Sequence, residues 1–164
     1  MMGQRLPLYL ALGGLLLGGV FLLNRADAEA RDTIRKHHLE DLEQSLYFAR
    51  NIHGTFPPYD QASWCGVLTD PNNKAVLAQI EEILRAQNEK YANPAKPFPT
   101  DPAPRSRHGQ DFAGYFYWKR NPAIFEFYSM LETAPTGERS TAECDNSELT
   151  YYDYGITSLW RQNQ

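Results

Sequence analysis

Basic charge is scarce in this chain. Sixteen Lys and Arg face 20 Asp and Glu, for a net charge of −4, so there is no cationic excess to meet a phosphate backbone, and nucleic-acid binding is excluded as a primary role. Two cysteines in 164 residues are too few for a disulfide-built mini-scaffold or a four-cysteine zinc site. The sequence has no Gly-rich phosphate loop, no HExxH, no nucleophile elbow and no internal repeat. It therefore offers no ground for an enzyme, a cofactor or a resident metal. Core-forming residues, by contrast, are plentiful. An apolar content of 42% with 13% aromatics is that of a folding chain, not a disordered one.

Those apolar residues are unevenly spread. Thirteen fall within the uncharged stretch Leu6 to Leu23, LPLYLALGGLLLGGVFLL. At about 1.5 Å per residue this stretch makes a helix just long enough to span hydrocarbon, and a membrane-spanning segment over 1–23 is expected. Two other processings are open: release by signal peptidase at the A-x-A sequence Ala26-Asp27-Ala28, and a short leader ending at Gly3. Release after Ala28 would leave an exported soluble binding module as the alternative function. Gly14 and Gly18 form a GxxxG pair, the spacing that lets two membrane helices approach closely. Counting basic residues near the stretch, Arg5 on one side and Arg25, Arg31, Arg35 and Lys36 on the other, would by itself place the C-terminal part inside the cytoplasm.

From Asn24 no Pro or Gly interrupts the chain until Gly54. Leu39, Leu42, Leu46, Ala49 and His53 recur at helical spacing, flanked by Ile34 and Ile52, which predicts an amphipathic helix over 24–53. Its other face carries the opposite-charge pairs Arg25/Glu29, Asp27/Arg31, Asp32/Lys36 and Lys36/Glu40. The first ten residues after Asn24 have charge but little stripe, as an exposed stalk would. Gly54 stands where a helix ends, and Pro57-Pro58 prevent its resumption. Leu6 to His53 would then be one helix of about 70 Å.

Residues 54–164 are expected to form a globular headpiece. Tyr59 to Leu68, with Trp64-Cys65, reads as a loop. Asp70 and Pro71 open a second helix, with Val76, Leu77, Ile80, Ile83 and Leu84 on one face, ending before Asn93-Pro94. Five prolines between Pro94 and Pro104 make an irregular connection. Phe112 to Trp118 and Ile124 to Leu131 predict a hairpin turning at Lys119 to Pro122, and Leu149 to Ile156 a further strand. The fold class is α+β, a long helix packed on a small three- to four-stranded antiparallel sheet.

Chemical candidates are few. His37 and His38 are adjacent on a helix, point about 100° apart and cannot chelate one metal together. Glu143, Asp145, Asn146 and Glu148 offer oxygen ligands for calcium, but their spacing matches no EF-hand, and a polar surface loop is the plainer role. Tyr115, Tyr117, Trp118, Tyr151, Tyr152 and Tyr154 make the sheet aromatic, either as core against the long helix or as a contact patch.

The stretch RADAEARDTIRKHHLEDLEQSLYFARNIHGTFPP resembles the second half of the long N-terminal helix of type IV pilins and type II secretion pseudopilins. KPFPTDP, GYFYWKRN and IFEFYSMLET are similar to elements of pseudopilin headpieces, so the resemblance covers roughly Arg25 to Glu132. It implies a structural, non-enzymatic subunit. Such a subunit sits in the inner membrane as a single-pass protein, its C-terminal domain outside the cytoplasm, and packs by its N-terminal helix against lipid and other pilin-like subunits. The leader departs from the family pattern: Gly3 is followed by Gln4, Arg5, Leu6, Pro7 and Leu8, and Leu8 stands where the family has glutamate. In an exported domain Cys65 and Cys144 are expected to form a disulfide, and otherwise to be two free thiols.

Overall fold

A computed structural model describes residues 6–91, 97–102, 114–133 and 154–158, with side chains from residue 13 onward. Helix α1 runs unbroken over Leu6–His53, 48 residues. It ends as its sequence dictates: Gly54 takes φ +75°, and its N–H donates to the Arg50 carbonyl at 2.8 Å, the left-handed cap that glycine adopts without steric cost.

After α1 come β1 (Trp64–Val67) and a short 3-10 turn over Pro71–Asn73, then α2 (Lys74–Lys90). The Asp70 carboxylate accepts from the Asn72 N–H at 2.8 Å, so the expected cap serves the 3-10 turn that leads into α2 rather than α2 itself. Strands β2 (Phe116–Asn121), β3 (Ile124–Ser129) and β4 (Tyr154–Thr157) complete the fold. The four strands form one antiparallel sheet in sequence order. The α+β class and the long helix on a small antiparallel sheet are as the sequence implies.

One sheet face packs on α1. Tyr117 pairs with Phe127, which pairs with Ile156, and these join Tyr115 and Phe125 against Leu39, Leu42 and Leu46 of α1 and Val76, Ile80 and Leu84 of α2. The other face carries Val67, Phe116, Cys65, Trp118 and Tyr128. Gly155 sits under the Tyr128 ring so closely that a Cβ there would lie 2.4 Å from it. This is the close approach for which a strand keeps a glycine.

Several local expectations are corrected. Trp64 and Cys65 lie on β1, not in a loop. The strand is four residues long, partly buried and includes Gly66, which has no side chain to mark a face, so it shows no alternation. Lys119, Arg120 and Asn121 belong to β2, and only Pro122 and Ala123 form the turn. A register shift between Lys119 and Asn121 accommodates Arg120. On α1, Asp32 and Arg35 are buried, so the stalk ends at Arg31, while His53 at the far end of the stripe is exposed.

Candidate functional site

Two features of α1 stand out, one at each side of residue 31. N-terminal to it, the helix stands away from the headpiece among the described residues. Leu15, Leu16, Leu17, Val20, Phe21, Leu22 and Leu23 are 57% to 76% exposed, on every side of the helix. Gly13, Gly14, Gly18 and Gly19 have no atom within 4 Å of where a Cβ would stand. Each helical glycine costs about 1 kcal/mol relative to alanine, and no contact among the described residues requires it. Arg25 pairs with Glu29 at 3.0 Å across Ala26-Asp27-Ala28, which are helical and exposed or only partly covered.

C-terminal to residue 31, the helix is locked to the headpiece by charge. The Asp32 carboxylate accepts the backbone N–H of Glu132 (2.8 Å), the N–H of Thr133 (2.9 Å) and the Thr133 hydroxyl (2.7 Å). Arg35, 2% exposed, donates to Asp32 at 2.7 Å, to Glu132 at 2.9 Å and to Asp101 through two nitrogens, the closer contact at 2.8 Å. Arg31 holds Glu132 in a two-pronged contact at 2.8 and 2.7 Å. Three stretches distant in sequence, 31–35, 101 and 132–133, thus meet in one ionic clamp. The resemblance motifs supply all of its ionised members: Arg31, Asp32 and Arg35 from RDTIR, Asp101 from TDP and Glu132 from LET.

Electrostatics follow from this geometry. The Arg31 contact, reinforced by Arg35, outweighs burial and holds the Glu132 carboxyl down at about 2. Burial opposes the charge of Asp32, but the backbone donors of Glu132 and Thr133 and the Thr133 hydroxyl keep its pKa below the ordinary carboxylate range. Burial likewise opposes the Arg35 charge, and Asp101, Glu132 and Asp32 together more than offset it. A buried guanidinium with three carboxylate partners is the arrangement that burial of charge demands.

A second polar anchor fixes the loop after α1. The Lys119 side chain is 1% exposed, and its ammonium donates to the carbonyls of Pro58 (2.8 Å) and Gln61 (2.6 Å). Desolvation pulls its pKa below that of a free lysine, against the attraction of Asp60. The Tyr117 hydroxyl donates to the Pro57 carbonyl at 2.6 Å. From sequence, Lys119 reads as part of a turn. Its alternation with Tyr115 and Tyr117 is the signal that would have placed it inward.

Cys65 is disulfide-bonded, and no free cysteine is present among the described residues. Cys144, the sequence's other cysteine, lies outside those residues, as do Glu143, Asp145, Asn146, Glu148, Tyr151 and Tyr152. Tyr115 and Tyr117 are core, Trp118 is half-buried on the opposite face with Arg120 stacked on it at 3.9 Å, and Tyr154 lies under Lys36. These residues do not form one exposed aromatic patch. His37 faces Glu40 at 3.5 Å on the surface, and His38 meets the Tyr115 hydroxyl at 2.5 Å. Among the described residues no group of His, Cys, Asp or Glu is placed to hold a metal, and no helix is long and apolar enough to cross a membrane. The side chains of residues 6–12, the first part of the apolar stretch, are not among those described. No protein-family model, curated protein or solved structure matches this chain.

Proposed function

We propose that this chain is a pilin-like or pseudopilin-like structural subunit of a bacterial type IV filament or type II secretion system. In this account α1 anchors it in the inner membrane as a single-pass protein and packs against the helices of other subunits, while the α+β headpiece stands outside the cytoplasm. The observation that carries this reading is the division of one continuous helix. Its C-terminal half is built into a headpiece by a buried stripe and an ionic clamp, and its N-terminal half exposes large apolar side chains all round. A helix apolar on every side needs lipid or other helices around it. The four glycines, with no atom of the described residues within 4 Å of their Cβ positions, support close helix–helix approach, with Gly14 and Gly18 as the central pair. The disulfide-bonded state of Cys65 supports an oxidising compartment, with Cys144 as its partner.

Alkaline carbonate extraction of membranes tests the anchoring. The protein is expected to stay in the pellet and to be released by detergent. Recovery in the soluble fraction, with an N-terminus after Ala28, would instead support the exported binding module.

A further inference from the structure

The sheet has two faces, and α1 and α2 pack on one of them. On the other, two rows of side chains cross the strands: Cys65, Trp118 and Glu126, then Val67, Phe116 and Tyr128. Among the described residues, the apolar contacts of this face are its own strand side chains and Met130 beside β3. Yet the face is closed to water. Phe116 is 0% exposed, Glu126 4% and Val67 7%. Neighbours within the plane of a sheet cannot close it from above; that takes a second layer. The need is greatest at Glu126, a charge kept from water with the Arg120 guanidinium at 2.5 Å and the Tyr128 hydroxyl as its partners.

Cys65 identifies that layer. It packs beside Phe116 on this face and is disulfide-bonded, and the sequence holds one other cysteine, Cys144. Cys144 lies about midway between Thr133, past the end of β3, and Tyr154, the start of β4. Strands β3 and β4 are antiparallel neighbours, which a loop of about two to five residues would join, but about 20 residues intervene here. Strand β1 stands at the opposite edge of the sheet, about 14 Å from β4 at three strand spacings. An extended leg of about ten residues reaches about 33 Å, so the chain can cross to Cys65 and return. The leg after Cys144 includes Leu149, Tyr151 and Tyr152, the apolar material that cover for Val67 and Phe116 requires.

We infer that residues 134–153 dock across the outer face of the sheet as its second layer, pinned at Cys65 by Cys144 and packed over Phe116 and Tyr128. This docking rests on the Cys65–Cys144 pairing proposed above. The outer face is then interior, and the bond keeps it so. Reduction uncovers this face while α1 and α2 still cover the other.

The test uses the full chain in detergent micelles. Non-reducing peptide mapping first establishes the pairing: a linked Cys65–Cys144 peptide is expected, and its absence would overturn pairing and docking together. Tyr128→p-azidophenylalanine then places a photo-cross-linker on β3, two strands away from Cys65, where a hit is not a consequence of the bond alone. Cross-linked peptides are expected within 134–153. Cross-links confined to residues 103–113 or to a second copy of the chain, or none at all with the disulfide intact, would overturn the docking and leave the pairing standing. Hydroxyl-radical footprinting of the unmodified chain gives a second readout. Reduction and alkylation should raise labelling of Phe116 and Met130 severalfold, with Phe127 on the helix-covered face unchanged. Unchanged labelling of Phe116 would contradict the inference. Should Phe127 rise as well, reduction has unfolded the headpiece, and the cross-link alone decides.

Discussion

Arg35 touches three carboxylates from a position almost closed to water, and its removal would strand all three. Arg35→Ala is expected to cost about 3–5 kcal/mol of headpiece stability, read by urea denaturation, because it leaves buried charge uncompensated. Arg35→Lys should recover only part of this, since an ammonium cannot bridge Asp101 and Glu132 with a planar fork. Acid should act through the same group. The Glu132 carboxyl is held at about 2 against 4.5 for an ordinary glutamate, so the unfolded chain takes up the proton first. Its contribution is therefore complete above about pH 4.5 and is lost as pH falls toward 2. Glu132→Gln should flatten that part of the stability profile, and an unchanged slope would show that Glu132 does not carry it. At the other end of the fold, Lys119→Met is expected to destabilise by about 1–3 kcal/mol, because the Pro58 and Gln61 carbonyls lose their donor. None of this clamp was legible as a unit, since its members lie up to 101 residues apart. One trace of it was available: positions 32 and 35 continue the spacing of 39, 42, 46 and 49, so a charged pair occupies core positions of the helix.

Among the elements, α1 was the most legible. Its length, its stripe from Leu39 to Ala49 and its termination at Gly54 all follow from periodicity and from the punctuation of glycine and proline. Helix α2 and the β2–β3 hairpin followed similarly, the hairpin with its turn misplaced by the bulge at Arg120. Strand β1 escaped because four partly buried residues around a glycine carry no period, and its burial comes from pairing with β2, about 50 residues away. The glycines of the apolar half give α1 its own prediction. Gly14→Ala with Gly18→Ala should raise helix stability by about 1 kcal/mol per site and leave headpiece unfolding unchanged, because no atom of the described residues is near either Cβ position. Cross-linking in membranes should fall at the same time, as methyl groups separate neighbouring helices. Undiminished cross-linking would mean that the pair is not the contact.

At the scale of the whole molecule, the clamp sits where the exposed half of α1 meets the headpiece. A pull on the arm is therefore resisted first by Arg31, Asp32 and Arg35, and only then by the apolar stripe. An anchored subunit needs that order, and a freely soluble headpiece would have no use for seven bare apolar side chains on one arm. The proposed Cys65–Cys144 bond would close a loop large enough to contribute about 4 kcal/mol in the chain-entropy model, so reduction should lower the unfolding temperature of the headpiece while leaving the arm's membrane behaviour unchanged. The anchoring claim itself is tested most directly by the intact mass of the protein purified from its native membranes without reductant. A mass that retains Leu6 to Leu23, and is two hydrogens below that of the reduced chain, is the result this account predicts. A mass lacking every residue up to Ala28 would contradict it, because the half of α1 that defines the proposed role would then be absent from the mature protein.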